Sequence, residues 1–265
     1  MGGCLYARND RGAFVDYLRL RGRGYSGAMP RRQIRAVRDT GALRDVLVDQ
    51  DDLPGVVTSA SMFGNDHPLE IEIGSGKGLF LATAAGHQPA SNFLGIEIVP
   101  KYAALAAARV VKAGRGNAKV VAGDAGPVLS KLVPDRSVSA IHVYFPDPWW
   151  KRRHRQRRVV SRDSVIQFAR VLVDGGRLHF WTDVLDYFED TVEMIAELTP
   201  QFGVPRPEKT TDASHDLDYR THFERRSRQH QVPVYRVRYT LSVGSVDDVG
   251  VAGRGVVGAG SVADG

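Results

Sequence analysis

The chain has 265 residues, 43% of them apolar and 25% charged, and a formal net charge of +6 from 36 basic and 30 acidic side chains, enough for one sizeable α/β domain of ordinary globular composition. Its longest mostly apolar stretch, from Tyr102 to Val111, is interrupted by Arg109 and falls short of the roughly 20 residues a membrane span needs. The lone Cys4 excludes an intrachain disulfide framework and a thiolate zinc cluster.

The opening residues MGGCLYARND lack the apolar core of a secretory signal, and Tyr6 breaks the myristoylation pattern at Gly2, so a cytoplasmic protein with no membrane partner is expected. Residues 1 to about 60 are rich in Arg, Gly and Asp with weak periodicity and read as a flexible basic arm. Residues 61–243 carry the domain, and 244–265, with seven glycines among small residues, read as a disordered tail.

Within the domain, PLEIEIG predicts a strand from Leu69 with Ile71 and Ile73 on one face, and GLFLATAAG a short helix closed by Gly86 and Pro89. NFLGIEI is a second strand, after which Pro100 occupies the first turn of a helix that runs to Gly114. AKVVAGDA and VSAIHVYF are the third and fourth strands, with a helical turn near Val128 to Val133 between them. Ser161 caps RDSVIQFARVLVDGG, which stops at Gly175 and Gly176; RLHFWTD is the fifth strand, and VLDYFEDTVEMIAEL the helix after it. VPVYRVRYTLSV alternates with period two and predicts an edge strand of the hairpin type. Such alternation points to a doubly wound, mostly parallel sheet, whose ligands bind outside the carboxyl ends of the strands. The residues brought there are Gly74 to Gly78, Glu97, Asp124, Asp147 and Asp183.

EIGSGKG is not a P-loop, because Ile71 stands where the first glycine belongs and Gly78 where Ser or Thr belongs. Nor is it a dinucleotide fingerprint: Gly74, Gly76 and Gly78 give G-x-G-x-G with Leu79 at the third fingerprint position, and Glu72 would repel a pyrophosphate. S-adenosylmethionine, which carries a sulfonium and an ammonium but no phosphate, suits the loop better. Glu97, 19 residues after Gly78 at a strand end, is placed to accept from both ribose hydroxyls, and Asp124 to meet the adenine region. The structural alternative is a helix entry that needs glycine for packing, with surface acids around it.

The stretch IHVYFPDPWWKRRHRQRR carries the rest. Ile141, Val143 and Phe145 are expected on one face of the fourth strand and His142 and Tyr144 on the other, so that the strand delivers Asp147 to the carboxyl edge. Pro146 and Pro148 fix the backbone on both sides of that acid and remove two amide donors; an Asx-turn is the structural alternative. Trp149 and Trp150 offer stacking surface for an unstacked base, unless one lies in the core. Lys151, Arg152, Arg153, Arg155, Arg157 and Arg158 follow without an acid, and Tyr219 to Arg238 holds six arginines against Glu224 alone. Either these are solvated faces or they form a track for a phosphate backbone.

LEIEIGSGKG, FLGIEI, GDA, FPDPWWKRRHRQRR, WTD and THFERR, in that order over about Leu69 to Tyr239, resemble the bacterial tRNA (guanine-N7)-methyltransferases. The resemblance implies a class I, Rossmann-like, seven-stranded methyltransferase fold with an antiparallel C-terminal strand. It implies transfer of a methyl group from S-adenosylmethionine to guanine N7 at position 46 in the variable loop of tRNA. Glu72, Gly74, Gly76, Gly78, Glu97, Asp124 and Asp147 then form the cofactor set, with Asp147 also the catalytic acid. Lys151, Asp183, Thr221, His222, Phe223 and Glu224 look like substrate contacts. The chain departs from the family pattern at Trp150, where many relatives are polar or basic, and at His222, where lysine is common.

Guanine N7 already presents a lone pair and has no proton to lose, so attack on a sulfonium methyl needs no general base. A rigid carboxylate is then expected to orient the purine through its N1 and N2 donors, with Asp147 and Glu224 both candidates. The rival readings are an exocyclic amino-group methyltransferase, from whose Asp-Pro-Pro-aromatic motif DPWW departs, and a non-catalytic RNA-binding protein on the same scaffold. The histidine spacings match no common zinc pattern, and no metal is expected. The partner is tRNA, bound by a monomer or a homodimer.

Overall fold

The apolar runs become strands of one sheet. The computed structural model describes residues 40–149, 158–208, 221, 223–224, 227, 230 and 232–242. The strands are β1 (Leu47–Asp49), β2 (Leu69–Ile73), β3 (Asn92–Glu97), β4 (Ala118–Ala122), β5 (Val138–Tyr144), β6 (Leu172–Thr182), β7 (Arg206–Pro207) and β8 (Tyr235–Thr240). They lie in the order β1-β4-β3-β2-β5-β6-β8-β7. Pairing is parallel from β1 through β6 and antiparallel where β8 joins β6 and β7 joins β8. The chain winds outward from β2 in one direction through β3 and β4, then returns to β5 and β6 on the other side. The switch point therefore falls between β2 and β5, where a sheet of this kind opens a crevice at its carboxyl edge.

The helices are α1 (Thr40–Val46), α2 (Ser59–Phe63), α3 (Leu79–His87), α4 (Pro100–Lys112), α5 (Ala125–Leu132), α6 (Arg162–Val171) and α7 (Leu185–Leu198). Alternating side chains send each strand's apolar residues to two cores. Leu69, Ile71, Ile73, Ile141 and Val143 join Val165 and Phe168 of α6 and Tyr187 and Phe188 of α7 on one face. Phe80, Leu81, Ala103, Ala106 and Ala107 of α3 and α4 pack with Tyr144 and Trp181 on the other. Ser161 caps α6 with a reciprocal box, its hydroxyl accepting from Ser164 N–H while the Ser164 hydroxyl accepts from Ser161 N–H.

Four elements differ from the sequence expectation, one of them the strand expected at the edge: β8 lies between β6 and β7, and the two-residue β7 takes the edge. The sheet has eight strands rather than seven: α1 and β1 both fall within the segment read as an arm, and β1 pairs with β4 through Leu47 and Val48. Leu43, Val46 and Leu47 pack on one core and Leu53 on the other. The apolar residues of this stretch are divided between a helix, a strand and a 3-10 turn (Gln50–Asp52), each too short to show a period. Helix α6 ends at Val171 rather than at Gly175, because Leu172 turns extended and pairs with Val138. Strand β6 then bulges through Gly175 (φ 73°) and resumes its pairing at Arg177. Phe145 leaves the face of Ile141 and Val143 and joins Tyr144 and Trp181 instead, since its φ of 51° turns the chain over as β5 ends.

Candidate active site

The loop after β2 is built by backbone bonds to β3. Gly74 N–H and Ser75 N–H donate to the Ile96 carbonyl at 2.8 and 3.3 Å, and Gly78 N–H donates to Ser75 O at 2.8 Å. Gly74, Gly76 and Gly78 all have left-handed φ, of 76°, 53° and 68°, which a side chain would strain. Their surroundings divide them. A Cβ on Gly74 would meet nothing and one on Gly76 only Gly74 O at 4.0 Å, whereas one on Gly78 would stand 2.7 Å from Ala106 Cα. Gly74 and Gly76 thus line open space; Gly78 lets α3 pack on α4.

Glu97 ends β3 and anchors this loop: its Oε2 accepts from Gly76 N–H at 2.8 Å and its Oε1 from Val99 N–H at 2.9 Å. Each oxygen keeps a second acceptor position. Beyond it Ile98 and Tyr102 are exposed and offer an apolar shelf at the head of α4. Asp124, after β4, is exposed; its Oδ1 caps α5 by accepting from Gly126 N–H at 2.9 Å, and its own N–H donates to Gln50 Oε1 at 2.7 Å.

Glu72, on β2, is 3% exposed. Burial, and secondarily the charge of Glu97, push its carboxyl well above the usual carboxylate range. Among the described residues, Glu72 Oε2 and the neighbouring Ser75 Oγ are buried and find no hydrogen-bond partner. Buried polar atoms of this sort need a donor or acceptor from elsewhere. The fit to S-adenosylmethionine follows: glycine backbone that allows close approach, acids and no phosphate cradle, a carboxylate at ribose position, and an apolar shelf for a flat base. Glu72 and Ser75 would meet its amino-acid end.

Below the site, Glu70, His142 and His179 make a buried polar layer. His142 bonds Glu70 Oε2 through Nε2 at 2.8 Å and Tyr144 Oη through Nδ1 at 2.9 Å, and it stacks on His179 at 4.7 Å. Glu208 accepts from Trp181 Nε1 at 2.6 Å and bonds His179 Nδ1 at 2.8 Å. Burial raises the Glu70 carboxyl, but His142 and then Arg177 override it and hold the group below its usual range.

Asp147 is exposed on the loop after β5. Phe145 N–H donates to Trp181 O at 2.7 Å, and the Phe145 ring stacks on Phe223 at 6.0 Å, with 19° between the planes. The block around Thr221 is therefore brought beside the loop that bears Asp147. Thr221 Oγ1 accepts from Glu224 N–H at 3.0 Å, Phe223 is 48% exposed, and Glu224 is only 1% exposed. Asp183 is half-buried just past β6, at the same edge. Lys151 and His222 lie outside the described residues, as does Trp150.

Two arginines counted toward the phosphate track face inward instead. The Arg158 side chain is 9% exposed and bonded to protein groups. Arg236 lies over the Trp181 ring at 5.1 Å. The sequence places Ser75 in the loop without showing its role, and its signal for the Glu70–His142–His179 layer is two carboxylates spaced by two on β2 with one histidine on each of β5 and β6. No helix among the described residues is long and apolar enough to cross a membrane.

Fold and site together define a class I S-adenosylmethionine-dependent methyltransferase, and S-adenosylmethionine is its cofactor. Residues 66–237 match the family described as "Putative methyltransferase". A tRNA (guanine-N(7)-)-methyltransferase of Rhodopirellula baltica is 56% identical over 216 residues, 80% of each chain. Another, from Oenococcus oeni, is 33% identical over 68% of this chain and 84% of that one. Among solved structures, a precorrin-6y C5,15-methyltransferase from Geobacter metallireducens aligns at a TM-score of 0.46 and 16% identity, over 74% of this chain and 98% of that one. The chain belongs to the tRNA (guanine-N7-)-methyltransferase family.

Proposed function

We propose that this chain methylates N7 of guanine in tRNA, at position 46 of the variable loop, and that it works in the cytoplasm, where tRNA is modified. The observation that carries the reading is the carboxylate of Asp147, exposed on a doubly constrained loop after β5, the strand that pairs in parallel with β2, whose end bears the glycine turn. The bound cofactor supplies an electrophilic methyl group. The chain's own task is alignment, because the attacking lone pair needs no deprotonation. Asp147 accepts from the N1 and N2 donors of the guanine and offsets the positive charge that develops on its ring. The burial of Glu224 favours Asp147 for this role, since a carboxylate 1% exposed does not reach a purine arriving from solvent. Glu224 instead supports the Thr221–Phe223 segment, which with Asp183 borders the incoming nucleotide. Glu72, Gly74, Gly76, Glu97 and Asp124 hold the cofactor, and Lys151 with the rest of its basic run holds phosphates.

The test is incubation with unmodified tRNA and methyl-labelled cofactor, followed by nucleoside analysis and chemical cleavage at 7-methylguanosine. Label in 7-methylguanosine at position 46 is expected, with an Asp147→Asn rate lower by about 100-fold or more. Label on an exocyclic nitrogen would overturn the reaction, and label at another guanine would overturn the position.

A further inference from the structure

Arg158 closes the cationic run, yet three groups of the protein hold it. Its Nε donates to the Pro148 carbonyl at 2.9 Å, its Nη1 donates to Asp190 Oδ2 at 3.0 Å, and its guanidinium lies over the Tyr187 ring at 4.4 Å. Tyr187 Oη in turn accepts from Val160 N–H at 3.2 Å, which ties α7 to the segment that carries Arg158. Burial pushes the Tyr187 hydroxyl up to about 12, against Val160 and Arg158, while the charges of Asp147 and Asp190 add to the rise. The phenol therefore stays neutral, and the ring serves as a platform for the cation.

What Arg158 grips is the peptide next to Asp147. That loop runs between two non-glycine residues of left-handed φ, Phe145 at 51° and Trp149 at 41°. Each costs on the order of 1–3 kcal/mol and persists only where its surroundings impose it. On the side of Phe145 the restraint is the bond to Trp181 and the stack on Phe223. On the other side Pro148 has no N–H, so its carbonyl is the backbone polar group it can offer, and Arg158 takes it. A guanidinium suits this position because its planar fork serves the carbonyl and the carboxylate together while its face stacks on a ring.

We propose that Arg158 is a positioning residue for Asp147, holding the Pro148 carbonyl and thereby the carboxylate, and is not a contact to tRNA phosphate. The inference rests on the reading of Asp147 as the acid that orients guanine.

The test compares Arg158→Gln, Arg158→Lys and Asp190→Asn in the full chain. It reads kcat and KM, the salt dependence of tRNA binding, and hydrogen exchange across residues 141–149. Arg158→Gln is expected to lower kcat by about 100-fold, the cost of a roughly 1 Å misplacement. It should leave the slope of log Kd against log salt unchanged and speed exchange in the loop. Arg158→Lys should fail to restore kcat, since an ammonium does not serve both partners. Asp190→Asn, at a site 46% exposed, should lower kcat by a smaller factor and also speed loop exchange. A phosphate contact would give the reverse: kcat kept, a slope reduced by about 0.7–0.9 in Arg158→Gln, and rescue by lysine. That result, or unchanged loop exchange in Asp190→Asn, would overturn the inference while leaving the reaction intact. A wild-type chain that forms no 7-methylguanosine would instead overturn the reading beneath it.

Discussion

Gly76 donates its backbone N–H to Glu97 Oε2 at 2.8 Å, so the glycine turn after β2 and the tip of β3 move as one body. The same carboxylate accepts from Val99 N–H through Oε1, which ties it to the first turn of α4 as well. Glutamine at position 97 has one carbonyl oxygen for two donors and turns an amide toward the other. Charge-assisted bonds of this type contribute about 1.5–3 kcal/mol. Glu97→Gln should therefore weaken S-adenosylmethionine binding by about 10- to 100-fold in calorimetric titration, while tRNA binding without cofactor stays at the wild-type level. Unaltered cofactor affinity would remove Glu97 from the cofactor set.

Glu72 provides a pH signature. Its carboxyl is raised by burial first and by Glu97 second, so the free protein keeps it protonated over a wider range than an exposed glutamate. A raised carboxyl favours the folded state at low pH, and that advantage falls as pH climbs from the unfolded-state value through the folded one. The cationic end of the cofactor prefers the ionised form, so binding should release a proton and tighten with pH, at most about tenfold per pH unit. Titrations in buffers of different ionisation enthalpy will count the proton. Glu72→Gln should abolish its release and make the free protein more heat-stable at alkaline pH; proton release that survives the substitution would place the titration elsewhere.

Two glycines of the same turn should fail in different ways. Alanine at position 78 drives its Cβ to within 2.7 Å of the Ala106 backbone, a clash that only a shift of α3 against α4 relieves. Overpacking of this kind costs about 1–3 kcal/mol and left-handed φ about 1–2 more, so Gly78→Ala should lower Tm by several degrees. Gly76→Ala meets open space and should lose only the second amount, yet bind the cofactor far more weakly. Differential scanning fluorimetry with and without cofactor separates the two, and equal behaviour would contradict the division of the turn into packing and binding glycines.

The carboxyl-edge acids could be found from sequence because each stands at the end of an apolar run, and parallel topology brings such ends together. Asp124 and Asp183 needed nothing more than that. What resisted reading was decided between segments distant in the chain. Arg158 reads as one more cation of a basic run, since the Pro148 carbonyl and Asp190 that claim it lie elsewhere in the sequence. Phe145 fits the alternation of β5 until a positive φ turns it over, and no residue type announces that. Glu70 looks like a solvent-facing strand residue because His142 and Arg177, its partners, come from two other strands. Strand β1 escaped because three residues cannot display a period.

Trp181 joins parts of the chain that are far apart in order of synthesis: its carbonyl restrains Phe145, its indole reaches Glu208, and Arg236 of β8 covers its ring. A ribosome delivers the glycine turn, Glu97 and Asp147 well before Tyr235–Thr240 emerges to zip against β6. Until then the far flank of the sheet lacks its closing strand and Trp181 its cationic cover. The flank of the sheet that packs behind Asp147 is thus the last to be completed as the chain is made.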